Sequence, residues 1–199
     1  MSHALIIDPA AQPLSPHERI IEAARTLFCR DGIHATGIDR ILTEAGASKM
    51  TLYSRFGSKE ALIRVVLERE GEVWRAAFFR DFILATPDPA GPLLSVIPAL
   101  RQWFEGERFF GCPFMNAAAE HAKGAEGEPW LRDMTAQHHA AILGFLTPLA
   151  HQSGYADPAM RARQVLLVLD GAIAALMVSG NPEVLSVAEA TLRAVLVAP

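Results

Sequence analysis

Cysteine is almost missing from this chain of 199 residues. The two present, Cys29 and Cys112, lie far apart and belong to no ligand-like cluster. That argues against a disulfide framework or a zinc knuckle and points to a reducing cytoplasm. A surplus of positive charge is missing too, since 18 Lys and Arg stand against 22 Asp and Glu for a net charge of −4. Through residue 60, seven cations (Arg19, Arg25, Arg30, Arg40, Lys49, Arg55, Lys59) meet seven anions (Asp8, Glu18, Glu22, Asp31, Asp39, Glu44, Glu60). A diffusely basic nucleic-acid coat is therefore excluded, and any DNA binding must come from charge placed on one face. Long apolar runs are scarce. The longest, Val165–Val178, is broken by Asp170 and Gly171 and reads as too short to cross a bilayer. Such a segment belongs to a core or a subunit interface, and no membrane partner is expected. Met1–Pro13 lacks the cationic start of a signal peptide. Strand-like alternation, internal repeats, Gly-x-Ser-x-Gly, a phosphate loop and a dinucleotide fingerprint are all missing, so an enzyme is not expected.

What is present is helical periodicity. Residues 1–14 carry none and read as a disordered tail. Ser15-Pro16-His17-Glu18 combines a capping box with proline at the first helical position. Ile20, Ala24, Leu27 and Phe28 follow at helical spacing, and Gly32 stops the helix. Thr36, with Asp39 three residues on, opens a short second helix with Ile38, Ile41 and Leu42 inward. Ala45-Gly46-Ala47 is a turn, and Ser48 caps a third helix with Leu52 and Phe56 inward. Ser58 caps a long fourth helix reaching about Leu84. Further helices are expected near 93–106, 113–123, 129–152, 158–179 and 182–197, with Pro148 kinking or dividing the third of these. The fold class is all-α.

Two short helices joined by a glycine-containing turn of three or four residues form a helix-turn-helix, in which the second helix offers its outer face to the major groove. Here that face is Ser48, Lys49, Met50, Thr51, Tyr53, Ser54 and Arg55. Hydroxyls, cations, a phenol and a thioether suit phosphates and base edges, thymine methyls included. A merely solvated helix has the same composition, and spacing alone does not separate the two.

The stretch Thr36 to Leu62, TGIDRILTEAGASKMTLYSRFGSKEAL, resembles the signature of the TetR (tetracycline repressor) family. The matching elements are the Thr cap, the Ala-Gly-x-Ser turn, Thr-Leu-Tyr, a Phe after two intervening residues and Ser-Lys-Glu-x-Leu, within a likeness running from Ser15 to Leu67. The resemblance implies a dimeric repressor on a pseudo-palindromic operator of double-stranded DNA. Its domains would be a helix-turn-helix DNA-binding domain over 15–60 and an effector-binding and dimerisation domain over 61–199. By the same resemblance, Thr36 and Arg40 touch the DNA backbone. Lys49, Met50 and Thr51 read bases, with Ser54 on the same face, and Ser48, Tyr53 and Lys59 grip phosphates. The chain departs from the family at Met50, where a small residue is common, and at Arg55, where histidine is common. The binding mode carries over; the operator sequence does not.

The likeness fades after about residue 70, and the effector half is read from its residues. Trp103, Phe104, Phe109, Phe110, Phe114, Met115, Trp130 and Met134 concentrate aromatics and thioethers, which line ligand pockets as readily as they fill cores. Asn116 and Glu120 share a helix face, His121 lies beside them, and Asp170 interrupts an apolar helix; a buried polar group of this kind requires a partner. The expected pocket for a small, mostly apolar effector is Trp103, Phe110, Cys112, Met115, Asn116, Glu120, Trp130 and Met134. Cys112, just before a proline-started helix, has the position of a thiol with lowered pKa, so a thiol-redox or ligand-independent regulator is the alternative. His138 and His139 with His121, Glu120 and His151 come nearest to a metal set. Adjacent histidines diverge by about 100° on a helix, so neither metal nor cofactor is expected. Val165, Leu166, Leu169, Ile173, Leu176, Leu192 and Val195 form apolar faces on the last two helices, where the resemblance implies a homodimer interface.

Overall fold

The computed structural model describes residues 14–76, 82–85, 88, 91–106, 109–120 and 129–196. Among these residues there is helix and no strand. The helices are α1 (Pro16–Asp31), α2 (Ile38–Ala45), α3 (Lys49–Phe56), α4 (Lys59–Val73), α5 (Phe82–Ala85), α6 (Val96–Phe104), α7 (Pro113–Glu120), α8 (Pro129–Gln152), α9 (Pro158–Ser179) and α10 (Glu183–Leu196), with a 3₁₀ turn at Pro92–Ser95. The chain divides into two compact units, one through Val66 and one from Leu67; α4 carries residues of both. The expected tail lies outside the described residues except for exposed Leu14.

In the first unit α1 packs against α2 and α3. Its start is the expected capping box: Ser15 Oγ accepts from Glu18 N at 3.3 Å, and Ser15 N donates to Glu18 Oε2 at 2.9 Å. Ile20, Ala24, Leu27 and Phe28 of α1 close over Ile41, Leu42, Leu52 and Phe56, all buried, and His17 stacks on Phe56 with ring centroids 4.8 Å apart.

Thr36 departs from its expected part. It does not cap α2, whose N-cap is Gly37 without a side-chain bond. Its hydroxyl instead donates to the carbonyls of Gly32 (2.7 Å) and Leu27 (3.4 Å) at the end of α1, leaving the residue 0% exposed. Carbonyls at a helix C-terminus need donors, and the threonine supplies one.

In the second unit α8 lies against α7 and α9, and α10 against α6 and α9. Pro148 sits inside α8 without dividing it. The fourth helix does not run unbroken to Leu84: α-helix ends at Val73, a turn of π-helix covers 74–76, residues 77–81 lie outside the described set, and helix resumes at Phe82. α9, at 22 residues, is longer than its 165–178 apolar run and by length and composition alone could cross a membrane, its most apolar 18 residues having a mean hydropathy of 1.6. Here the helix turns Ala162, Val165, Leu166, Leu169, Ala172, Ile173 and Leu176 into the unit's own core.

That burial also corrects the expected dimer face. Val165, Leu166, Leu169, Ile173, Leu176 and Leu192 are buried within the chain, and Val195 is half-buried. The six buried ones are spent on intramolecular packing; of the seven only Val195 keeps surface for a partner.

Candidate nucleic-acid interface

The turn between α2 and α3 is built by Gly46, whose φ of 56° and ψ of 43° put it in the left-handed region. Its N–H closes α2 on the carbonyls of Leu42 and Thr43. Arg19 of α1 clamps the same turn, donating through Nε to the Ala45 carbonyl (2.8 Å) and through Nη2 to that of Gly46 (3.3 Å). Ser48 then caps α3 by accepting from Thr51 N at 3.1 Å. Bonds within the chain thus define the turn between the two short helices.

With Leu52 and Phe56 buried, α3 turns the rest of its side chains out. Met50, 80% exposed, and Ser54, one turn on, form the crest, flanked by Tyr53 and by half-buried Thr51. Ser54 Oγ donates to the Thr51 carbonyl (3.1 Å), and the hydroxyls of Ser48 and Thr51 lie 2.9 Å apart. Arg55 is exposed, with no ion pair or hydrogen bond among the described residues. A single exposed methionine is ordinary on a protein surface; what suits Met50, 80% exposed, to a base edge is its place on the outward face of the second helix of the motif.

Charge on this face is partly neutralised in place. Lys49 Nζ is 2.8 Å from Asp39 Oδ1, and that bond raises the lysine's pKa. Arg40 Nη2 is 2.8 Å from Asp31 Oδ2. Lys59 is half-buried and gives one of its three donors to the Ile33 carbonyl at 2.7 Å. Arg40, Ser48, Lys49, Met50, Thr51, Tyr53, Ser54 and Lys59 therefore keep solvent-facing atoms, whereas the side chain of Thr36 has none.

The effector-half residues fall into different settings. Trp103 meets Phe109 edge-on at 4.9 Å, and Trp74, which composition did not single out, meets Trp103 at 5.8 Å. Asn116 Nδ2 donates to the Phe110 carbonyl at 2.9 Å, so its amide closes a loop. Met115, Glu120, Trp130 and Met134 are half-buried on α7 and α8. His121 lies outside the described residues, and no metal-holding group occurs among the described ones. Cys112 is buried, and burial pushes its thiol up to about 11 despite lowering by the Met115 and Phe114 backbone N–H groups. The helix terminus acts as expected but loses to desolvation, so Cys112 is no activated thiol. Asp170 pairs with His139, Oδ2 to Nε2 at 3.5 Å, while burial raises the carboxyl's pKa. A cleft of about 380 Å³ among Pro92, Leu93, Leu94, Ser153, Tyr155 and Leu196 contains none of the eight expected pocket residues.

Sequence reasoning weighed His138 only as a metal ligand and missed its contacts with Phe114 and Arg75. His138 is buried, stacks on Phe114 at 4.0 Å, and accepts at Nδ1 from Arg75 Nη1 at 3.2 Å. Burial first, then the charge of Arg75, lowers its pKa to about 3, so the ring is neutral.

The clamped turn and outward α3 define a helix-turn-helix. Residues 20–66 match the family model for bacterial regulatory proteins of the tetR family. The chain is 43% identical over 61 residues to the HTH-type transcriptional repressor SCO4008 of Streptomyces coelicolor, covering 31% of this chain and 32% of that one. It is 33% identical over 111 residues to the HTH-type transcriptional regulator LmrA of Bacillus subtilis, covering 55% and 58%. The matched stretches thus span about a third to three-fifths of these curated relatives. The crystal structure of SCO4454, a TetR-family transcriptional regulator from Streptomyces coelicolor, superposes with a TM-score of 0.81 at 29% identity, covering 91% of this chain and 94% of that one. Residues 20–66 thus carry a DNA-binding domain of the tetR-family type, and the chain as a whole is similar in fold to a TetR-family transcriptional regulator.

Proposed function

We propose that the protein is a cytoplasmic repressor that binds a pseudo-palindromic operator as a homodimer and is released by a small, mostly apolar effector. The observation that carries the reading is α3 itself, which buries Leu52 and Phe56 and holds Met50 in water. Lys49, Met50 and Thr51 read bases; Ser48, Tyr53 and Lys59 take phosphates, and Arg40 the backbone.

A two-half-site operator calls for a two-fold dimer. The surface that suits it is the outward side of the last two helices, with Leu167, Gly171 and Val178 on one stripe of α9 and Val187, Ala190 and Ala194 on α10, all exposed in the single chain. Release needs an effector that favours the DNA-incompetent state. About 2.7 kcal/mol of preference shifts the balance a hundredfold. The α4 helix joins the two units, so a shift at its far end reaches Lys59.

Selection of binding sites from a random DNA pool tests the DNA-binding reading. A two-fold symmetric motif is expected, with Met50→Ala changing the motif and Tyr53→Phe weakening binding on all sequences alike. Recovery of no motif by wild-type protein overturns it.

A further inference from the structure

The turn of π-helix after Val73 aims two consecutive side chains at one ring. Trp74 lies 5.6 Å from His138, centroid to centroid, and Arg75 Nη1 lies 3.2 Å from its Nδ1. On a regular helix neighbouring side chains diverge by about 100°; the wider turn lessens that divergence, and such turns recur at functional sites. Gly71, one turn earlier, is also fitted to the place, since a Cβ there would stand 2.7 Å from Arg75 Nη1 and 3.1 Å from Phe114.

The surroundings of Arg75 are unusual for a guanidinium. It is half-buried, and among the described residues it has no ion-pair partner; its hydrogen bond goes to a neutral imidazole. Around His138 stand the rings of Trp74 and Phe114, and beyond Trp74 those of Trp103 and Phe109. Aromatic faces attract a cation but do not neutralise it, and a guanidinium withdrawn from water calls for an anion. Its planar fork matches a carboxylate through two parallel bonds. A single guanidinium suits a monoanion, and the rings suit an apolar or aromatic body attached to it. Trp74, Arg75, Trp103 and Phe109 are all half-exposed, so a ligand can reach them.

We infer that the second unit binds a small aromatic or apolar carboxylic acid, its carboxylate on Arg75 and its body against Trp74, Trp103 and Phe109. The inference builds on the effector-released reading and names the chemical class of the effector. His138 is a positioning residue, because its Nδ1 lone pair holds one guanidinium N–H and fixes the direction of the others.

The test uses full-length protein without DNA and three probe pairs: benzoate, cinnamate and 2-naphthoate, each beside its neutral amide. Binding is read by calorimetry and by quenching of the three tryptophans, Trp74, Trp103 and Trp130. At least one acid should bind about tenfold or more tightly than its amide, the scale of one charge-assisted hydrogen bond. Arg75→Gln should bring acid and amide to equal affinity, and Arg75→Lys should restore part of the preference. Equal binding of acids and amides by wild type, no binding of any probe, or a preference that survives Arg75→Gln in folded protein overturns the inference. The acid–amide comparison needs no variant, so it stands even if Arg75→Gln does not fold. Site selection on wild-type protein, run separately, reports on the DNA-binding reading, so the two can fail independently.

Discussion

Lys49 Nζ lies 2.8 Å from Asp39 Oδ1, tying the first cation of the outward helix to an acid on the helix before it. Both side chains are well exposed. In DNA binding the phosphates compete with Asp39 for this ammonium, and Asp39 brings its own negative charge to the face.

Asp39→Asn should therefore tighten binding to random-sequence DNA several-fold at low salt, with the gain shrinking as salt rises. The melting temperature should change little, since exposed pairs stabilise weakly. Fluorescence anisotropy across a salt series reads both. Unchanged or weaker binding would show that Lys49 does not face the phosphates or bases.

Thr36→Val should act on stability and not on sequence choice. It removes the donor to the Gly32 and Leu27 carbonyls inside the first unit. Losing such a bond costs about 1–3 kcal/mol, measurable by urea denaturation. The DNA motif recovered from a random pool should be that of wild type; an altered motif would return Thr36 to the interface.

A charge at two neighbouring positions of α9 should give opposite results. Leu167 is 73% exposed in the single chain and Leu169 is fully buried. Leu167→Glu should give a folded monomer, by light scattering and circular dichroism. Leu169→Glu should give unfolded or insoluble protein, because an unpaired buried charge is expensive. Dimers retained by Leu167→Glu would move the interface elsewhere.

Much of the first unit was legible because its signals are local. The cap at Ser48, the glycine at 46 and the inward pair Leu52 and Phe56 lie within eleven residues of one another. Thr36 was misread because a threonine three residues before an acid resembles a helix start. The carbonyls that claimed its hydroxyl end a different helix. On α9 both faces are apolar, and periodicity cannot say which faces the chain's own core. The exposed Arg163 and Gly171 were the available hint that one side faces outward. The Arg75–His138 contact spans 63 residues of sequence and depends on a local change of helix pitch. No window of sequence contains it.

Stability should also report His138. Its pKa falls from 6.5 to about 3 in the folded protein, burial being the largest cause. Above pH 6.5 both folded and unfolded forms are neutral, so this group adds no pH dependence there. As the pH falls below 6.5 the unfolded chain takes a proton that the folded one refuses. Stability then drops by up to about 1.4 kcal/mol per pH unit. Urea midpoints at pH 7 and pH 5 should differ more for wild type than for His138→Gln, which keeps an acceptor for Arg75 but does not titrate. Equal pH dependence would mean that His138 is solvated. Cys112, raised from 9.0 to about 11, acts at the other end, stability falling as the pH rises from 9 toward 11.

Two glycines with positive φ leave different routes open to sequence drift. At Gly46 a side chain would enter empty space, so the only obstacle is backbone torsion, which asparagine and aspartate tolerate better than other residues. Asparagine or aspartate at that position is expected to keep the turn. Gly111, at φ 78°, adds the side chain of Met177 where a Cβ would stand. Replacing it requires a strained backbone and a displaced methionine together. Lineages sharing this packing are expected to hold glycine at 111 or to change residues 111 and 177 in concert.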